Sequence, residues 1–73
     1  MPPRLTAKEV RRAIERDKWY LHHQKGSLAF FRHATKPGYV TIAMHTGRII
    51  APGTMQMILR QSGLTAEEML SLL

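Results

Sequence analysis

Three short β-prone runs, separated by only a few turn-forming residues, constrain this chain more than any other feature. Residues 19–24 are rich in aromatics and end at Lys25-Gly26. Residues 27–33 carry Phe30 and Phe31 and end at Lys36-Pro37-Gly38. Residues 39–44 contain Val40, Thr41 and Ile42 and end near His45-Thr46-Gly47. Parallel neighbours need a crossover of about a dozen residues, which none of these gaps supplies. The spacing predicts an antiparallel meander. Gly26 suits a tight turn between the first two strands, and Pro37-Gly38 suits the next.

Helix signatures flank the meander. Thr6 is followed three residues later by Glu9, the spacing of a capping box, and Leu5 with Val10 forms a hydrophobic staple around it. Val10, Ala13 and Ile14 make an apolar stripe, so a helix is predicted over residues 7–17. A second helix is predicted from Pro52-Gly53-Thr54, because proline is tolerated in a first helical turn. Met55, Ile58, Leu59 and Ser62 follow helical spacing, and Gly63 suits a left-handed C-cap. Thr65 and Glu68 repeat the capping box, and Leu64 with Met69 the staple, so a short helix ends the chain. The order is α-β-β-β-α plus a terminal helix. It is an α+β arrangement with helices on one face of a three-stranded antiparallel sheet and the other face open. Trp19, Phe31, Ile42 and Met55 are the expected core. Leu28 and Phe30 share one strand face, and Ala29 and Phe31 the other; both are apolar, so periodicity does not decide which is buried.

The chain has 73 residues, enough for a single domain spanning 1–73. A domain this small buries only about 60% of its unfolded surface. The absence of cysteine excludes disulfides, thiolate zinc sites and cysteine nucleophiles. No apolar run approaches the roughly 18 residues of a membrane span. Met1-Pro2-Pro3-Arg4 leads into no signal-peptide stretch, so a soluble cytoplasmic protein with no membrane partner is expected.

The charge is strongly basic, with 11 Lys and Arg against 5 Asp and Glu and a net charge of +6. All the basic residues lie within positions 4–60, whereas Glu67 and Glu68 sit near the end. Such a balance points to a polyanionic partner, most often nucleic acid.

The residue inventory narrows the chemistry. No Asp or Glu lies between Lys18 and Thr65, so a two-carboxylate mechanism or a carboxylate-held magnesium is hard to build on the sheet. The histidines are His22, His23, His33 and His45. His22 and His23 are adjacent on a strand and are expected to point to opposite faces, which argues against a four-histidine metal site. No phosphate-binding glycine loop and no serine triad is present. Metal-free RNA cleavage fits what remains. It needs a base for the 2′-hydroxyl proton, an acid for the leaving oxygen, and cations around the phosphate.

Five segments together resemble one family. They are Lys18-Trp19-Tyr20 after the first helix, Lys25-Gly26-Ser27, Phe31-Arg32-His33, Val40-Thr41-Ile42, and Pro52-Gly53-Thr54 with Ile58-Leu59-Arg60-Gln61-Ser62-Gly63-Leu64. Over nearly its whole length the chain resembles the HicA (YcfA-like) toxins of bacterial toxin–antitoxin systems. The resemblance implies a fold like a double-stranded-RNA-binding domain. It also implies cleavage of mRNA without metal or other cofactor, and a HicB-type antitoxin that silences the toxin in a cytoplasmic hetero-oligomer.

The resemblance also exposes a departure. The family pattern is Gly-Ser-His, with the histidine catalytic, whereas here Leu28 follows Ser27 and Ala29 comes next. Neither side chain can exchange a proton. Three accounts stay open: a natural altered relative, a histidine replaced because the active toxin is lethal, or a working histidine displaced by one residue. Ala29 is the candidate for a substituted histidine. A site rebuilt from His22, His23 or His33 is the remaining possibility. Lys25 and Ser27 border the site implied at position 28. RNA binding is expected through Lys25, Arg32, His33, Lys36, Arg48 and the helix-one arginines Arg11 and Arg12. His33 has an alternative role, pairing with backbone at the strand end. The alternative function is a non-catalytic module that binds RNA or antitoxin. A small DNA-binding protein is a third reading, weakened because three strands separate the first two helices.

Overall fold

Thr6 starts the first helix by taking up a donor that the helix cannot use. Its hydroxyl accepts from the Glu9 amide at 3.2 Å, and the Glu9 carboxylate accepts from the Thr6 amide at 2.9 Å. The predicted capping box is therefore formed in full. This computed structural model describes residues 2–45 and 47–73. Met1 of the opening segment and Thr46 of the third turn lie outside the described residues.

The first helix, α1, spans Ala7–Arg16 and buries Ala7, Val10, Ala13 and Ile14. It ends one residue earlier than predicted because the chain turns left-handed at Lys18, with φ of 76°. The Lys18 amide donates to Glu15 O and the Trp19 amide to Ile14 O, both at 3.0 Å. These are the two bonds of a Schellman motif, with lysine where glycine is the usual choice. A side chain in this conformation costs roughly 1–2 kcal/mol. Lys18→Gly is expected to raise the thermal midpoint by several degrees, an increase of about 1 kcal/mol in stability, measured by circular dichroism.

The Glu9 carboxyl lies below its ordinary range. The Thr6 backbone N–H is the main cause, and the Thr6 hydroxyl and Arg12 reinforce it against a small opposing effect of burial. A depressed carboxyl contributes stability above its unfolded pKa and loses it as pH falls through the folded value. Thermal midpoints of Glu9→Gln are expected to fall less steeply than those of the parent as pH drops through the ordinary carboxylate range. Equal slopes would show that the box adds nothing to acid sensitivity.

Three strands follow: β1, Tyr20–Lys25; β2, Leu28–Arg32; and β3, Val40–Ala43. They form an antiparallel sheet in the order β1-β2-β3, the meander predicted from turn spacing. Each boundary differs slightly from the sequence reading. Trp19 belongs to the helix-ending motif, so β1 starts after it. Gly26, with φ of 57°, and Ser27 form a two-residue turn, so Lys25 stays in the strand. Glycine meets the positive φ that a hairpin turn demands at its first central position.

Burial alternates along β2 and β3. Ala29, Phe31, Val40 and Ile42 are buried, and their strand neighbours are less so. The buried side faces the helices, with Trp19, Met55, Ile58 and Met69 in the same core. The second helix, α2, spans Pro52–Ser62 and ends at Gly63, left-handed at φ of 70°. The third, α3, covers Ala66–Ser71 behind a complete Thr65–Glu68 capping box. Both α1 and α2 contact β3, and α1 also packs against α3. The other side of the sheet is left uncovered. No helix is long and apolar enough to cross a membrane among the described residues.

Candidate nucleic-acid interface

Register decides what the open face carries. On β1 and β2, Tyr20 pairs with Arg32, His23 with Phe30, and Lys25 with Leu28. On β3, Thr41 pairs with Phe30 and Ala43 with Leu28. These residues stand opposite the buried set of Ala29, Phe31, Val40 and Ile42. Tyr39, just before β3, joins the same face: the Arg32 guanidinium lies 4.9 Å from its ring centroid. Phe30 meets that ring edge-on at 6.1 Å.

The two candidate positions for the implied histidine separate cleanly. Leu28 is 38% exposed on the open face, whereas Ala29 is 0% exposed in the core. A side chain at position 28 can reach a ligand on the sheet, and one at 29 cannot. Lys25 is directly across from Leu28, and Ser27 is exposed in the turn beside it. The Ser27 carbonyl is occupied, accepting from the Met44 amide at 2.7 Å.

Five of the expected RNA-binding residues fall into three groups. Lys25 and Arg32 lie on the open face, and neither forms an ion pair with a described residue. Arg11 and Arg12 belong to α1, on the helical side. Arg11 is 5.4 Å from the Phe31 ring centroid and paired with Glu15 at 3.3 Å. Arg48 lines a cleft formed by Ala7 of α1, Ile42 of β3 and Thr54 of α2. A single flat ligand on the sheet does not meet all three groups.

His33 and Lys36 are tied into the fold. His33 Nδ1 accepts from the Thr35 and Lys36 amides at 3.1 and 3.2 Å. That leaves the ring proton on Nε2, which donates to Asp17 O at 2.7 Å. The ring also meets Trp19 edge-on at 5.1 Å. The Lys36 ammonium donates to Asp17 Oδ2 at 2.6 Å and to Ser62 O at 3.0 Å. It thereby joins the ends of α1 and α2 to the β2–β3 connection. Lys36→Met is expected to cost about 1–2 kcal/mol of folding stability, read by denaturant titration, while leaving RNA affinity unchanged.

One sequence expectation is corrected. His22 and His23 do not point to opposite faces. Leu21 pairs with Phe31 and His23 with Phe30, so His22 is an extra residue in β1, a β-bulge. Both rings stand on the open side: His23 lies stacked on Phe30 at 4.4 Å, and both meet Tyr39 at 5.7 and 5.8 Å. Sequence reasoning also missed Tyr39 and Tyr20 as members of this face.

The open face is cationic and aromatic, and no carboxylate comes from any of its strands. It offers flat rings for stacking and free cations for phosphates, the combination that single-stranded nucleic acid takes. Among the described residues, no three histidine, aspartate or glutamate side chains converge as metal ligands.

A family model described as HicA toxin of bacterial toxin-antitoxin matches residues 7–64, from the start of α1 to the residue after the α2 C-cap. No curated protein matches the chain.

Proposed function

We propose, from the premise that this chain belongs to the HicA toxin family of bacterial toxin–antitoxin systems, that its target is mRNA. The fold is that of a toxin that cuts RNA without a metal ion and is held silent by a HicB-type antitoxin in the cytoplasm, and in this chain Leu28 stands where the resemblance implies the catalytic histidine. The observation that carries this reading is the open sheet face, where cations and aromatic rings gather around position 28 without any acid. Lys25 and Arg32 take phosphates there, and Tyr39 and Phe30 offer rings to bases. Discrimination against DNA rests on the 2′-hydroxyl, the nucleophile of metal-free cleavage.

A single-stranded RNA probe in EDTA tests the reading. Binding is expected to weaken steeply with salt, and Lys25→Ala and Arg32→Ala are each expected to flatten the logarithmic slope by roughly 0.7. Leu28→His, which restores the implied histidine, is expected to cut the probe, and the parent is expected to cut it where another group on the face supplies the proton transfer. A probe lacking 2′-hydroxyls is expected to stay intact. RNA left untouched by both the parent and Leu28→His would overturn the ribonuclease reading.

A second reading rests on Leu28 itself, which cannot transfer a proton. On that reading the chain is a non-catalytic module that binds RNA or antitoxin. Salt-dependent RNA binding without cleavage by any variant favours it. Preference for duplex DNA would favour neither.

A further inference from the structure

The bulge in β1 creates a group that position 28 does not supply. His22 Nδ1 and His23 Nδ1 are 2.8 Å apart, a hydrogen-bond distance. Their rings are held at 79° to one another with centroids 5.0 Å apart. The stack on Phe30 is nearly parallel, at 7°, and it fixes the His23 plane. Neither Nε2 has a hydrogen-bond partner among the described residues. Phe30 and Leu28 are two residues apart on the same face of β2, so the pair lies about 7 Å along the strand from position 28.

A hydrogen bond between two Nδ1 atoms forces opposite tautomers. One ring carries its proton at Nδ1 and has a bare Nε2. The other accepts at Nδ1 and carries its proton at Nε2. The neutral pair thus presents one base and one acid outward, which is the requirement for RNA transesterification. We propose that His22 and His23 are the proton-transfer centre with which this chain cleaves RNA, in place of a histidine at position 28. The proposal rests on the ribonuclease reading above.

The step balances within the pair. The bare Nε2 takes the 2′-hydroxyl proton as the 2′-oxygen bonds to the adjacent phosphorus. The bond from phosphorus to the 5′-oxygen breaks, and that oxygen takes the Nε2 proton of the other ring. The Nδ1 proton crosses from the first ring to the second. Both rings end neutral with their tautomers exchanged, ready for the reverse assignment. The products are a 2′,3′-cyclic phosphate and a 5′-hydroxyl. Arg32, held against Tyr39 beside the pair, stabilises the charge gathering on the phosphorus oxygens.

The test compares the parent chain with His22→Phe, His23→Phe and the double variant, in EDTA, measuring RNA affinity and cleavage separately. Phenylalanine keeps a ring on the sheet and removes the proton transfer. The parent is expected to yield cyclic phosphate ends, and each single variant to cut at least about 100-fold slower with near-parental affinity. The double variant is expected to be no slower than either single, because the rings act as a unit. A purely structural role would give additive losses and lowered melting temperatures, so thermal unfolding is measured on all four. His22→Gln and His23→Gln repeat the comparison without a bulky ring.

Parental rates in the single variants would overturn the pair. So would a parent that binds RNA without cutting it while Leu28→His cuts; the ribonuclease reading would then survive. If neither the parent nor Leu28→His binds or cuts RNA, that reading fails and the pair falls with it.

Discussion

Ala29→His is expected to lower the thermal midpoint by about 15 °C or more, or to abolish the transition. Ala29 is fully buried and paired with Gln24 on one side and Ile42 on the other. An imidazole there overfills a packed core, which costs about 1–3 kcal/mol. Its ring nitrogens also lose water without gaining partners, at about 1–3 kcal/mol more. The total approaches the whole stability of a small domain, about 0.05–0.15 kcal/mol per residue. The same substitution one residue earlier is the control. Leu28→His places the ring on an exposed strand face, where changes usually stay within about 0.5 kcal/mol. Circular dichroism melts of the two variants decide the point. A normal melt for Ala29→His would mean that position 29 can carry a working histidine after all. A collapse confines the implied site to position 28 and the face around it.

His33→Ala is the second large effect, and it separates structure from chemistry. The ring donates to Asp17 O and accepts from the Thr35 and Lys36 amides and the Thr35 hydroxyl. Removing it strands groups that are partly shielded and opens space beside buried Trp19. Each stranded group costs about 1–3 kcal/mol where water cannot replace the partner. Partial exposure of the loop reduces this, so a loss of about 2–4 kcal/mol is expected, a fall of roughly 10–20 °C in melting temperature. RNA cleavage per folded molecule is expected to be unchanged. Denaturant titration gives the first quantity, and cleavage assayed well below the melting transition gives the second. A variant that melts normally but loses cleavage would return His33 to the RNA-binding set in which the sequence placed it.

Much of the fold was legible because its signals are local. Thr6 with Glu9 and Thr65 with Glu68 are read within one helical turn, and both boxes formed in full. Gly63 needed only its own backbone freedom to end α2. The meander followed from gaps too short for anything else. Lys18 shows the limit of this reasoning: nothing about a lysine announces a left-handed residue. Its conformation is imposed by the Trp19 amide reaching Ile14 O while the indole enters the core.

The site was less legible, because facing is a property of pairs of strands. Leu28, Ala29, Phe30 and Phe31 are all apolar, so no pattern within β2 told the buried side from the open one. Helix packing on β3 settled it, placing Ala29 and Phe31 inward. His22 and His23 were assigned to opposite faces by the period of an ideal strand, and one extra residue in β1 brought them together. His33 and Lys36 read as RNA contacts in the sequence; their hydrogen bonds to Asp17 and Ser62 arise only where the ends of α1 and α2 come together. Turns and caps depend on neighbours a few residues away, so composition and spacing were enough to specify them. Register, bulge and burial depend on partners brought together across the sheet and between layers. No residue carries that information alone, and here it decides which histidines stand on the open face.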